Sequence, residues 1–264
     1  MTRIARRALL GAAAALALLA GPAGAAERIK VGVTPGPHAQ IMEKVAEIAA
    51  GKDLEIEIIE FSDYVLPNAA LAAGDLDANS FQHQPYLDRQ VEDRGYDLVA
   101  IARNVNFPMG IYSKKVGGLA ELPEGARVGI PNDPTNGGRA LALLASGGVI
   151  GLPEGLGHRA SVLDITDNPK NLRIVEIDAA QLPRSLDDLD AAAVNTNYAV
   201  EAGMSPVEDS ILIEPKDSPY ANLIVVRADE KDREVFKTLV ESYHNDEVRA
   251  FIAETFKGAV VAAW

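Results

Sequence analysis

The sequence predicts an α/β protein built as two similar lobes with a ligand cleft between them. Three observations carry that reading. Short β-rich runs alternate with helical ones, the pattern of helices layered on a mainly parallel sheet. The order of parts in the first half recurs in the second: Val31-Gly32-Val33 is echoed by Val128-Gly129-Ile130, Ile58-Ile59-Glu60 by Ile174-Val175-Glu176, and Asp75-Leu76-Asp77-Ala78 by Asp188-Leu189-Asp190-Ala191. No long flexible linker or low-complexity segment separates the halves. The chain is therefore expected to cross between lobes as extended strands, with Val99 to Phe107 and Leu223 to Arg227 as candidates, and the helices of Lys231 to Lys257 are expected to return to the first lobe.

Taken in order, Ile29 to Val33 reads as a strand, and Ile41, Val45 and Ile48 then recur at helical spacing until Gly51 supplies a stop. Leu54 to Phe61 is the next strand, Leu66 to Ala73 a short helix ended by Gly74, Asp77 to Phe81 a strand, and Pro85 to Arg94 a helix ended by Gly95. In the second half Arg127 to Pro131 reads as a strand. It leads through Asn132-Asp133-Pro134-Thr135-Asn136-Gly137-Gly138-Arg139 into an alanine- and leucine-rich helix.

Residues 1–25 read as an export signal. Arg3, Arg6 and Arg7 form a positive n-region, Ala8 to Ala20 is an apolar run too short to span a bilayer, and Ala23-Gly24-Ala25 has the pattern of a cleavage site. The expected division is 1–25 signal peptide, 26–107 plus 224–264 lobe 1, and 108–223 lobe 2. The formal charge of -13 excludes a basic surface for nucleic acid or anionic lipid. The chain has no cysteine, which excludes disulfides, thiolate metal sites, a cysteine nucleophile and lipid attachment through an N-terminal cysteine. With 48% hydrophobic residues it can bury a large core, and no second apolar stretch approaches membrane-spanning length. The expectation is a soluble, monomeric periplasmic protein.

The turn Asn132 to Arg139 stands where ligands bind in layered α/β proteins, at the carboxyl end of a strand and the start of a helix. Helix N-terminal N–H groups lack intrahelical partners, Gly137 and Gly138 permit close approach to the backbone, and Arg139 adds a planar fork matched to a carboxylate. The same residues also make ordinary helix-entry turns. Asn79 to Tyr86, Val194 to Tyr198 and Ser218 to Asn222 supply further strand-end loops. Their asparagines offer donors and acceptors, and Phe81, Tyr86 and Tyr64 an apolar wall. Each also has a plain structural role open to it.

An enzyme finds little support. There is no Gly-x-Ser-x-Gly elbow and no His-Glu-x-x-His helix, and Gly155-Leu156-Gly157-His158-Arg159-Ala160 follows Pro153 and Glu154 rather than a strand. His38, His83, His158 and His244 are scattered without ligand spacing, so no metal and no cofactor is expected.

Phe61 to Leu71, Asn79 to Leu87, Gly129 to Leu141, Gln181 to Asp188, Ala193 to Ala199 and Ser218 to Arg227 together resemble the NlpA/MetQ family of methionine-binding proteins that serve ABC importers. The resemblance runs from about Ile29 to Trp264. It implies a type II periplasmic-binding-protein fold that closes on a free amino acid for delivery to a membrane permease. By motif position Arg139 would hold the ligand carboxylate, and Asn195 and Asn222 its amino and carboxylate groups, with Asn136 close by. Tyr64, Phe81, His83 and Tyr86 would line the side-chain pocket. Many members are lipoproteins anchored through a cysteine, and this chain has none. The readings kept beside methionine are another small apolar amino acid, a methionine-containing dipeptide, and an exported small-molecule enzyme on the same fold.

Overall fold

The computed structural model describes residues 26–264, so the signal segment read at 1–25 lies outside the described residues. In chain order the elements are β1 (Glu27–Val33), α1 (Pro37–Ala50), β2 (Leu54–Glu60), α2 (Leu66–Ala73), β3 (Ala78–Ser80), α3 (Gln84–Arg94), β4 (Leu98–Arg103), β5 (Val105–Asn106), β6 (Gly110–Tyr112), β7 (Arg127–Pro131), α4 (Pro134–Ser146), β8 (Arg173–Ile177), α5 (Leu182–Ser185), β9 (Ala191–Val194), α6 (Thr196–Glu201), β10 (Ser210–Ile213), β11 (Leu223–Arg227), α7 (Glu234–Tyr243), α8 (Asp246–Phe256) and β12 (Val261–Ala262). Two five-stranded sheets form, ordered β2-β1-β3-β11-β4 and β10-β6-β9-β7-β8, with β12 and β5 as a small ribbon. In each sheet a central strand is parallel to both neighbours: β1 to β2 and β3, β7 to β8 and β9. Antiparallel strands complete one side of each sheet, β11 and β4 in the first and β6 and β10 in the second.

The internal echo has a physical cause. A Cβ on Gly32 would lie 2.5 Å from Leu76 Cδ1, and one on Gly129 would lie 2.6 Å from Leu189 Cδ1. In each sheet the glycine of the central strand makes room for the leucine of the Asp-Leu-Asp turn. The second aspartate of that turn then anchors the same strand. Asp77 accepts the Lys30 N–H at 2.8 Å and Asp190 accepts the Arg127 N–H at 2.8 Å.

The first sheet is covered on one side by α1, α7 and α8, whose Ile41, Met42, Val45, Phe236, Leu239 and Ile252 pack on Ile29, Val31 and Val33. Leu71, Leu76, Leu87 and Val225 fill its other side. The second sheet buries Val128, Ile130, Leu141 and Leu144 on one side and Leu182, Leu186, Leu189 and Val194 on the other. Helices α2 and α3 stop where glycine was read as the stop, Gly74 and Gly95 adopting φ of 84° and 69°.

Two expected features differ. The strand read at Asp77 to Phe81 shortens to Ala78–Ser80, because Asp77 turns its carboxylate onto β1. The segments read as crossings are strands of the first sheet: Leu223 to Arg227 pairs with Leu98 to Arg103. Their ladder hydrogen bonds hold them there. The chain passes between the sheets just beyond them, through 107–109 and back through 214–222.

The glycine–leucine contact gives a test. Gly32→Ala is expected to lower stability by about 1–3 kcal/mol through overpacking, and Gly32→Ala with Leu76→Val to cost less than the two single changes summed. Urea denaturation measures both. An unchanged midpoint for Gly32→Ala would show that the contact is not closed.

Candidate functional site

The carboxyl ends of β3, β7 and β9 face a common space between the two sheets. The loops that follow them enclose a small cavity. Tyr64, Phe81, His83, Tyr86, Asn136, Arg139, Asn195 and Asn222 all line it. His38, Gln82, Phe107, Thr196 and Asn197 complete the wall.

One end is aromatic. Tyr64, Phe81 and Tyr86 lie with ring centroids 5.9 to 6.1 Å apart, and Tyr198 backs Tyr64 at 5.0 Å. Their hydroxyls are bound within the protein: Tyr86 donates to the Tyr64 carbonyl at 2.8 Å, and Tyr64 donates to Asn197 Oδ1 at 2.6 Å. Burial pushes both phenols well above the usual tyrosine range. The rings therefore present an uncharged wall. Behind Phe81 and His83 a buried amide cluster fixes the strand end. Asn68 donates to Gln82 Oε1 at 2.8 Å, and Gln82 donates to Asn79 Oδ1 at 3.1 Å.

The other end is polar, and its orientation starts at Asp133. This residue caps α4, accepting the Asn136 N–H at 2.9 Å and the Asn136 amide at 3.0 Å. That contact turns Asn136 Oδ1 into the site, where it accepts from Asn195 Nδ2 at 3.0 Å and His83 Nε2 at 3.2 Å. His83 Nδ1 accepts the Tyr86 N–H, so the ring is a neutral Nε2–H tautomer. Burial, reinforced by Arg139, pushes its pKa down to about 3. Burial does the same to His38, also down to about 3. Four buried atoms on this wall have no hydrogen-bond partner among the described residues: the acceptors Asn195 Oδ1 and Asn222 Oδ1, the donor Asn197 Nδ2, and His38 Nδ1. Buried polar groups left unpaired are uncommon and mark places where a partner is missing.

The turn at 132–139 departs from its reading as an anion cradle. Asp133 occupies the helix N-terminus itself, taking the Asn136 N–H with its carboxylate and the Gly137 N–H with its carbonyl. A Cβ on Gly137 would lie 2.8 Å from the Pro131 carbonyl and one on Gly138 2.2 Å from that of His158. These glycines admit neighbouring backbone. Arg139 departs further. Its Nε and Nη2 are bound to Glu214 at 2.8 and 2.5 Å, and Nη2 also donates to the Phe107 carbonyl at 2.8 Å. The guanidinium lies 4.3 Å above the Tyr220 ring. Arginine and glutamate side chains are 3% and 8% exposed. The fork read as facing a ligand faces Glu214, and Nη1 is what remains for the cavity.

The site residues missed in the sequence are Glu214 and Asp133 and, in the wall, His38, Gln82, Phe107, Thr196 and Asn197. Asn197 stood within a matching motif, and the signal that could have marked Glu214 is its place as a lone glutamate ending the apolar run Ile211-Leu212-Ile213.

Residues 29–264 match the family described as NlpA lipoprotein. The chain belongs to that family. It is 50% identical over 239 residues to the D-methionine-binding lipoprotein MetQ of Escherichia coli K12, covering 89% of this chain and 88% of that protein. Its fold is similar to that of a nutrient binding protein from Burkholderia cenocepacia bound to methionine, with TM-score 0.87, 53% identity, and 89% and 100% of the two chains covered. It is equally similar to the crystal structure of the methionine binding protein MetQ, with TM-score 0.87, 50% identity, and 90% and 98% covered. These relatives are binding proteins, not enzymes. The expectation of a soluble, unanchored periplasmic protein is overturned by the same findings, since the NlpA family and the Escherichia coli relative are lipoproteins, which are held at a membrane. That expectation rested on the absent cysteine and on residues 1–25, which lie outside the described residues.

Two stability tests follow. Arg139→Ala leaves Glu214 buried without its partner and is expected to cost about 3–5 kcal/mol; Arg139→Met with Glu214→Met should cost much less. A parental denaturation midpoint for Arg139→Ala would contradict the pairing. Because His38 and His83 stay neutral in the fold to about pH 3 but protonate near 6.5 when unfolded, their contribution is complete above pH 6.5. It is lost as pH falls toward 3, at up to about 1.4 kcal/mol per pH unit for each histidine. Asp133, whose carboxyl burial raises, acts with the opposite sign. Replacing either histidine by glutamine should flatten the slope by about one proton; an unchanged slope would mean that the histidine is charged in the fold.

Proposed function

We propose that this chain is the substrate-binding component of an ABC importer and closes on a single methionine, without catalysing a reaction. The units that close are 26–107 with 224–264, and 108–223. The observation that carries this is the set of unpartnered atoms around one cavity. Asn195 and Asn222 each have their amide nitrogen engaged, by Asn136 Oδ1 and the Tyr220 carbonyl, and each leaves a buried oxygen without a donor. Two such acceptors fit an ammonium group. Asn197 Nδ2 and the remaining N–H groups of Arg139 are donors and fit a carboxylate. An α-amino acid brings both groups on one carbon, so its headgroup satisfies donors and acceptors together.

The aromatic end selects the side chain. Tyr64, Phe81 and Tyr86 present ring faces and edges with no free charge, an environment favourable to a flexible thioether. A charged side chain would lose its water there without gaining a counterion. The family membership and the methionine bound to the Burkholderia cenocepacia protein support methionine over other apolar amino acids.

The test is thermal denaturation with added amino acids, followed by calorimetry. A ligand that binds only the folded protein adds RT ln(1 + [L]/Kd), about 2.7 kcal/mol at a hundredfold excess over Kd. Methionine should raise Tm, and glutamate and lysine should leave it nearly unchanged. Asn222→Ala and Asn195→Ala should each weaken methionine by about tenfold or more, as expected for losing a hydrogen bond to a charged group. A larger response to glutamate, lysine or a dipeptide would overturn the assignment.

A further inference from the structure

The functional reading leaves Glu214 without a role, although its carboxylate is the nearest charge to Arg139 and is buried with it. Glu214 is held three ways. Its carboxylate takes two N–H groups of Arg139 at 2.8 and 2.5 Å, the same carboxylate accepts the Met109 N–H at 2.9 Å, and its own N–H donates to the Met109 carbonyl at 3.0 Å. Met109 ends one passage between the sheets and Glu214 begins the other. Arg139 is thus tied to both passages, through Phe107 on one and through Glu214 and Tyr220 on the other.

Two consequences follow for a ligand. Glu214 and the Phe107 carbonyl take Nε and Nη2, which leaves Nη1 as the guanidinium nitrogen a ligand can use. Its charge is also balanced before any ligand arrives. The other titratable side chains of the wall, His38 and His83, are neutral, and its tyrosines Tyr64 and Tyr86 are uncharged. Asp133 lies behind Asn136 at the positive end of α4, outside the cavity wall. The charged side chain of the wall itself is therefore Arg139, and Glu214, bound to its Nε and Nη2 from behind the wall, offsets that charge.

Resting on the proposed amino-acid site, we propose that Glu214 is the positioning and charge-balancing residue that makes the cavity select a zwitterion over an anion. An unopposed arginine in a dry cavity draws in any carboxylate, whether or not an ammonium accompanies it. With Glu214 in place, a bare anion would leave one uncompensated negative charge. A ligand with both groups adds none, and its ammonium meets the oxygens of Asn195 and Asn222.

The experiment compares the parent, Glu214→Gln and Glu214→Asp for three ligands of one length. These are methionine, 4-(methylthio)butanoate, which lacks the ammonium, and 3-(methylthio)propylamine, which lacks the carboxylate. Calorimetry and the ligand dependence of Tm give the affinities. The parent should favour methionine over both. In Glu214→Gln the preference for methionine over the anion should fall by about tenfold or more, the effect of a single unbalanced buried charge, while its preference over the amine should not fall. Glu214→Asp keeps the charge and should keep the parental ratios while binding all three less tightly. This holds the test open should Glu214→Gln fold poorly, since ratios altered in Glu214→Asp would overturn the assignment. If Glu214→Gln loses affinity for all three ligands alike, Glu214 is only structural and the assignment fails, although the methionine site stands. A parent that bound none of the three would overturn the functional reading and this assignment with it.

Discussion

Arg139 and Glu214 bury two opposite full charges where the passages between the sheets run side by side. Neither charge is tolerated there alone, because removing a carboxylate or guanidinium from water costs several kcal/mol unless a partner meets it in good geometry. The pair obtains that geometry from the backbone: Phe107 and Met109 supply a carbonyl and an N–H on one side, and Tyr220 a ring face on the other. The need to keep these charges together fixes how helix α4 sits against both passages. It thereby fixes which edge of the arginine looks into the cavity.

A second constraint runs outward from Asp133. Capping α4 engages the Asn136 amide, which directs Asn136 Oδ1 to Asn195 and His83, which in turn leaves Asn195 Oδ1 facing inward. The polarity of the site is decided by a carboxylate outside it. The aromatic end is fixed similarly, since the phenol of Tyr64 reaches Asn197 across the cleft and its carbonyl holds Tyr86. Both ends depend on hydrogen bonds spanning the two sheets, so the site exists only while the lobes are together.

Much of the architecture was legible in the sequence. The Val-Gly-Val and Asp-Leu-Asp echoes mark the central strand and its neighbour in each sheet, because a glycine–leucine contact and an aspartate anchor recur there. The stops at Gly74 and Gly95 follow from a left-handed φ that glycine accepts at little cost. What the sequence does not display is pairing between distant residues. Leu223 to Arg227 reads as any extended segment until its partner at Leu98 to Arg103 is known. The turn at 132–139 contains the right residues for an anion cradle, yet Asp133 fills the helix end and backbone fills the space beside Gly137 and Gly138. Arg139 was visible as a cleft residue, and Glu214, 75 positions away, was not. The lipoprotein character of the family could not be read from this chain, which has no cysteine.

The central claim is that Arg139 meets a ligand with a single terminal nitrogen while Glu214 retains the other edge. A crystal structure of the protein with methionine tests this most directly. The account predicts Arg139 Nε and Nη2 still on Glu214, the ligand carboxylate on Nη1 and Asn197 Nδ2, and the ammonium between Asn195 Oδ1 and Asn222 Oδ1. A methionine carboxylate seated on Nε and Nη2, with Glu214 displaced, would contradict it.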